Sequence, residues 1–264
     1  MKKKKQVWPI SVFIICKNEE DRIHHAINGV KDWVDEIIVI DSGSTDKTTQ
    51  VAKKLGATLV AYNEWKGYGP QKCYAEKLCK NEWVLNLDAD EECTEEMKRE
   101  IIGLFTANKL EHSAYVSKVM PLPRLSVKRF KYGPCLHAIR LYNKNLAGFD
   151  NSIIHDSVRI KSGSQGKLNA ILYHRPFRSF SHAIEKINYY TTLQAQDLFA
   201  RKRNPSVLRI LIEPFWTFLK SYFINLYFLW GVEGILEAFI YSFARTLRLI
   251  KAKELFLQEK VKRG

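Results

Sequence analysis

The chain has 264 residues, 46% hydrophobic and 27% charged, enough apolar content to bury a core and too much to be disordered. The net charge of +14 is uneven: residues 1–156 carry 24 basic and 21 acidic side chains, residues 157–264 carry 18 and 7. A nucleic-acid binder basic throughout is excluded. The distribution predicts an enzyme core followed by a basic, apolar tail that attracts anions.

Lys2–Lys5 followed by the apolar run Val7–Cys16 imitates a signal peptide. Pro9 interrupts that run, and Lys17, Glu19, Glu20 and Asp21 follow without a small-residue cleavage site, so the segment reads as a buried first strand. Ile10–Ile15 is its continuous apolar centre, as expected of a strand covered on both faces. Asn18 is placed to cap a helix led by Glu19, Glu20 and Asp21. Glu36–Ile40 is a second strand, and 42–46 (Ser-Gly-Ser-Thr-Asp) a turn before a helix that Gly56 stops near Leu55. Thr58–Ala61 is a third strand. Gly67, Gly69 and Pro70 mark a loop that opens another helix. Trp83–Leu87 is a fourth strand, and Thr94 caps a helix led by Glu95 and Glu96. This βα repetition implies a parallel sheet with helices on both faces.

From about Ala114 the order changes. Strand-like pieces at Ala114–Val119, Ala138–Tyr142 and Ala170–Tyr173 are separated by loops bearing Pro, Gly and Ser. From Ser181 the pattern is helical, with expected breaks near Asn204-Pro205, Glu213-Pro214 and Gly231. The longest uncharged stretch of this tail, Ser221–Val232, has 12 residues, against the roughly 20 a membrane span needs. The five cysteines are odd in number and lack Cys-x-x-Cys spacing, which argues against a disulfide framework or zinc ribbon and for a reducing compartment.

In an open parallel sheet, ligands bind beyond the carboxyl ends of the strands. The polar residues there are Lys17-Asn18-Glu19, Asp41-Ser42-Gly43-Ser44 and Asp88-Ala89-Asp90, which converge on one crevice. The glycine fingerprint of dinucleotide-binding folds and the Gly-Lys-Ser/Thr phosphate loop are both missing. A diphosphate bound here needs a cation, and Asp88 and Asp90, brought together by a turn at the strand end, suit Mg²⁺ or Mn²⁺.

The segments Ile14–Glu20, Ile38–Asp46 and Leu87–Glu91 resemble the family 2 glycosyltransferases and their nucleotide-sugar fold, GT-A. Within that family, Trp65–Lys72, Ile154-His155-Asp156 and the tail around Phe215–Leu236 resemble the bacterial lipopolysaccharide inner-core glucosyltransferase subgroup. That subgroup usually shows Val-His-Glu where this chain has Ile154-His155-Asp156, with the carboxylate retained. The resemblance implies an α/β GT-A catalytic domain over residues 1–180 and a helical, basic-aromatic extension over 181–264. It implies an inverting transfer of a hexose, glucose first, from a UDP-sugar to a lipopolysaccharide core sugar at the cytoplasmic face of the inner membrane. The rivals are transfer to a polyprenyl phosphate and a catalytically silent membrane-associated scaffold; nucleic acid is not expected as a partner.

Carried over by the resemblance, Asp41 reads the uracil ring and Glu19 lies near ribose and base. Lys72 offers positive charge to the donor, Asp88 contacts ribose and the metal shell, Asp90 binds Mg²⁺ or Mn²⁺, and Asp156 is the general base. Plainer readings stand beside these. Asp41 and Asp46 suit a turn and a helix cap, Glu91, Glu92, Glu95 and Glu96 a solvated helix start, and Cys73 and Cys79 a packed helix face. His174 is either a structural histidine or a third metal ligand. The aromatic run Phe215–Trp230 is either a helical hairpin packed on the core or a face for an anionic membrane surface, and both readings stay open.

Overall fold

The computed structural model describes residues 6–124, 129–130, 132–151 and 157–263. These divide into two compact units, residues 1–120 with 136–174, and residues 121–135 with 175–264.

The first unit is built on an eight-stranded sheet. β1 (Trp8–Cys16), β2 (Val34–Asp41), β3 (Leu59–Tyr62) and β4 (Trp83–Asp88) form its parallel half. β5 (Glu91–Cys93), β6 (Ala114–Pro121), β7 (Leu136–Asn143) and β10 (Gln165–His174) complete it in the order β3-β2-β1-β4-β7-β6-β10-β5. β7 joins β4 antiparallel, which ends the parallel half. β8 (Ala147–Phe149) and β9 (Val158–Ile160) form a separate two-stranded ribbon.

The unbroken apolar run of β1 has its explanation in this order. β1 lies between β2 and β4, and its side chains alternate between two cores. Ile10, Val12 and Ile14 enter one core with Ile23, Ala26 and Ile27 of α1 (Ile23–Asn28), Ala52 of α2 (Thr48–Leu55) and Met97 and Ile101 of α4 (Glu95–Thr106). Phe13 and Ile15 enter the other with Ala75 of α3 (Tyr68–Leu78) and with Tyr142 and Ala147. The result is the α/β arrangement with helices on both faces that the first strands imply.

Local signals act as read at most helix ends. Gly56 stops α2 in the left-handed region at φ 102°, and the Thr94 hydroxyl accepts from the Met97 N–H at the start of α4. Asn18 does not cap a helix. It sits at φ 55°, its side-chain oxygen accepts from Thr45 N at 2.8 Å, and α1 begins only at Ile23. The turn after β2 takes the side chain that the helix would have used. Glu91 also departs from its sequence reading: it lies in β5, buried, where a solvated helix start was expected, while Glu95 and Glu96 are exposed as read.

α1 ends against β5 at Gly29. A Cβ there would lie 2.8 Å from the Cys93 carbonyl oxygen and 3.2 Å from its nitrogen, both backbone atoms that cannot rotate away.

The second unit is helical, with α5 (Phe180–Ala200), α6 (Val207–Leu219) and α7 (Val232–Arg263). A wide turn at Lys220–Ile224 and a short 3-10 turn at Tyr227–Trp230 join the last two. The breaks near Pro205 and Gly231 occur. The one at Pro214 does not: α6 runs through it, and the Ser242 hydroxyl of α7 donates to the Pro214 carbonyl at 2.6 Å, a bond to the neighbouring helix at the proline itself. Arg124, which belongs to this unit, pairs with Glu237 at 2.8 Å and lies 4.2 Å from the centre of the Phe180 ring. No helix among the described residues is long and apolar enough to cross a membrane.

Gly29→Ala is expected to lower unfolding stability by about 1–3 kcal/mol, the usual range for overpacking. A denaturant midpoint unchanged from wild type would show that the α1–β5 contact is looser than described.

Candidate active site

The parallel strands end level with one another. Cys16 pairs with Asp41 and Ile15 with Asp88, so the last residues of β2 and β4 flank the end of β1. β4 stops at Asp88 and β5 starts at Glu91, which makes Ala89-Asp90 the turn that two aspartates need to face common ground. The Glu91 carboxylate closes that turn by accepting from Asp88 N at 3.0 Å.

Around this turn the structure gathers buried charges of both signs. Lys72 Nζ lies 2.9 Å from Asp88 Oδ1, and its side chain is 0% exposed. Arg140 Nη2 lies 3.0 Å from Asp88 Oδ2 and also pairs with Glu91, while its Nη1 donates to Asn86 Oδ1 at 3.0 Å. Arg22 holds Glu19 through two hydrogen bonds of 2.7 Å and approaches Asp90 Oδ2 at 3.6 Å. His174 Nε2 stands 3.3 Å from Asp90 Oδ1. The last contact depends on β5, whose antiparallel pairing sets His174 opposite Glu91.

Burial alone would raise the Asp88 carboxyl; the charges of Lys72 and Arg140 outweigh it and hold the group well below the usual carboxylate range. Burial works the same way on Asp90, and the charge and hydrogen bond of His174 more than offset it, so Asp90 too is held low. Glu91 goes the other way. Burial pushes it up, Arg140 opposes the rise and the neighbouring Asp88 charge adds to it.

Asp41 is placed beside this cluster by a separate set of bonds. Its Oδ2 accepts from Gly43 N at 3.0 Å and Ser44 N at 2.9 Å, and its Oδ1 accepts from the Ser44 hydroxyl. That is the turn geometry its residue type favours. The next residue, Ser42, accepts from the fully buried Gln71 Nε2 at 2.7 Å, which ties this turn to α3 one residue before Lys72. Asp46, one residue before the cap position of α2, accepts from Thr48 N at 2.9 Å in the turn that leads into the helix.

Glu19, Lys72, Asp88 and Asp90 are thus joined in one network, with Asp41 on the adjoining strand end. Asp156, with His155, lies outside the described residues. Sequence reading passed over Arg22, Asn86, Glu91 and Arg140 as members of this network. Arg140 carried a usable signal: it is a lone cation inside the apolar strand Ala138–Tyr142, and a buried cation requires a buried anion.

The donor set can be tested against a divalent cation. Asp90 Oδ1 and His174 Nε2 are an oxygen and a nitrogen side by side. Among the described residues no group of three or more His, Cys, Asp or Glu is arranged to hold a metal. Mg²⁺ and Mn²⁺ commonly take one or two protein donors and complete their shells with phosphates and water, so the Asp90 carboxylate fits, and His174 can join it only by giving up the Nε2 proton that now ties it to Asp90. Asp88 is differently placed, since a cation beside it would also meet Lys72 and Arg140.

The Glycosyl transferase family 2 model matches residues 11–156. An uncharacterized glycosyltransferase of Rickettsia typhi is 43% identical over 260 residues, covering 95% of this chain and 89% of that one. The chain belongs to glycosyltransferase family 2. It is therefore a glycosyltransferase, and its α/β architecture is the GT-A fold of that family. The lipopolysaccharide core biosynthesis glycosyltransferase LpsC of Rhizobium meliloti is 26% identical over 257 residues, covering 91% of this chain and 92% of that protein. The structure of S. aureus TarS 1–349 in complex with UDP-GlcNAc is similar in fold, with a TM-score of 0.50 at 16% identity over 95% of this chain and 92% of that one.

Arg140→Met leaves Asp88 and Glu91 without their shared cation and is expected to cost about 3–5 kcal/mol. Adding Glu91→Gln should recover part of that loss. A single variant within about 0.5 kcal/mol of wild type in denaturant unfolding would show that Arg140 does not carry the cluster.

Proposed function

We propose that this glycosyltransferase moves a hexose, glucose first, from a UDP-sugar to a lipopolysaccharide core sugar on the cytoplasmic side of the inner membrane, with inversion at the anomeric carbon. The observation that carries the donor side of this reading is the meeting of Lys72, Asp88, Asp90 and His174 at the carboxyl ends of the parallel strands. The acceptor side is supported by the similarity to LpsC over 91% of the chain and by the inner-core motifs in the sequence.

The roles are those the resemblance implies, set beside the geometry of the described residues. Asp41 accepts the N–H of the uracil ring, as the resemblance implies, with a carboxylate whose Oδ2 already holds two backbone N–H groups and whose Oδ1 already holds the Ser44 hydroxyl. Glu19, fixed by Arg22, borders ribose and base. Lys72 sets a buried positive charge beside the diphosphate, and Asp88, held between Lys72 and Arg140, contacts ribose and the outer part of the metal shell. Asp90 would hold Mg²⁺ or Mn²⁺, and His174 would join it once its Nε2 proton is given up. The ion, when bound, supplies Lewis-acid stabilisation of the charge that develops on departing UDP. Asp156 is proposed as the base that takes the acceptor hydroxyl's proton opposite the leaving group. Residues 1–180 form the catalytic domain in this reading and 181–264 its extension.

The test is a transfer assay with a panel of UDP-hexoses and core-truncated lipopolysaccharides. UDP-glucose is expected to give the highest kcat/KM, and Asp156→Asn to lower kcat about 10²–10⁴-fold with donor KM near normal. Transfer to polyprenyl phosphate in preference to lipopolysaccharide would overturn the acceptor assignment. An Asp156→Asn variant with wild-type kcat would overturn the base.

A further inference from the structure

In a helix surrounded by water, the polar side faces out and the apolar side faces the neighbouring helix. α6 is built the other way round. The side chains it turns toward α7 include Glu213, which pairs with Arg245 at 3.6 Å, and Thr217, which is buried and accepts at its carbonyl from the buried Ser221 hydroxyl at 2.7 Å. Ser242 of α7 meets the Pro214 carbonyl in the same layer.

The outward side is apolar along its whole length. Val207, Leu208, Leu211, Ile212, Phe215 and Leu219 are each half-exposed or more, Phe215 at 73%, and Trp216 lies among them at 59%. At the helical repeat these positions fall within one half of the circumference. The surface continues past the helix in Phe223 and Ile224, at 59% and 65%. An apolar patch of this extent marks an interaction site.

We propose that the outward face of α6 and the turn after it dock onto an anionic lipid bilayer. The surrounding charge selects this occupant. Residues 175–264 carry 15 basic and 7 acidic side chains, with Arg201, Lys202 and Arg203 just before α6 and Lys220 just after it. A second copy of the chain on this face would set one cationic surface against another. An anionic leaflet offers the opposite charge to the rim and hydrocarbon to the centre. At 13 residues α6 is too short to span a bilayer, so it lies in the interface with Trp216 at headgroup depth. A groove of about 800 Å³ in this unit is also mostly apolar, with Ile210, Ile250, Leu257 and Val261, and carries Lys253 and Lys262 against the single acid Glu254. The proposal stands apart from the donor and acceptor assignments, since it concerns side chains that neither uses.

The test is sedimentation of the full chain with vesicles of phosphatidylglycerol and phosphatidylethanolamine, against vesicles of phosphatidylcholine alone. The variant Leu208→Ser/Leu211→Ser/Phe215→Ser changes only exposed side chains, and an unchanged circular dichroism spectrum and thermal midpoint would show that it folds. Wild type is expected to sediment with the anionic vesicles and the triple variant to partition about tenfold less or lower. Brominated lipid should quench wild type more than Trp216→Phe. A wild type that stays in the supernatant, or a folded triple variant that sediments equally well, would overturn the proposal. So would a wild-type dimer that ignores vesicles and becomes monomeric in the triple variant, which would give the face to a second copy.

Discussion

Four carboxylates, the buried Glu91 and the partly buried Glu19, Asp88 and Asp90, are drawn together where the parallel strands end, and cations buried beside them offset their charge. Lys72, Arg140 and Arg22 are those cations, each from a different element: α3, β7 and the turn before α1. The pairing accounts for features that otherwise look unrelated. It explains a fully buried lysine near the start of a helix, an arginine within an apolar strand, and a three-residue strand rich in glutamate. β5 matters most here, because its pairing with β10 brings His174 to Asp90. Gly29 matters for the same reason, since β5 packs against its backbone.

The parallel half of the sheet was legible in the sequence because its strands centre on apolar stretches and because Gly56 and Thr94 mark helix ends between them. Asp41, Asp88 and Asp90 could be placed at strand ends from that pattern alone. What the sequence hid are interactions between distant segments. Arg140 lies 52 residues from Asp88, and no local pattern reports which anion a buried cation will find. β5 went unseen because three residues with two glutamates lack apolar periodicity; the sheet forms there because β10 offers a partner edge. Asn18 was assigned to a helix by its type, yet the turn after β2 competes for the same side chain and takes it. Pro214 looked like a break, but α6 continues through it, with α7 bonded to the carbonyl at that position.

The second unit follows a different physical rule. Along α6 the side turned to α7 carries Glu213 and the buried Thr217, while the side turned away carries exposed apolar side chains. The sequence showed the aromatic and basic composition without its orientation, which is why packing and membrane readings could not be separated at that level. The structure supplies the orientation within α6: Thr217 is buried while Phe215 and Trp216 are exposed.

The account's central claim is that the charge cluster at the strand ends receives the diphosphate of a nucleotide donor together with a divalent cation held by Asp90. Calorimetric titration of UDP with and without Mn²⁺, on wild type and on Asp90→Asn, tests it most directly. An amide cannot supply the carboxylate's charge to the ion. The account predicts that Mn²⁺ strengthens UDP binding to wild type about tenfold or more and that Asp90→Asn, still folded, loses that gain. Equal Mn²⁺ dependence in the two proteins would contradict it.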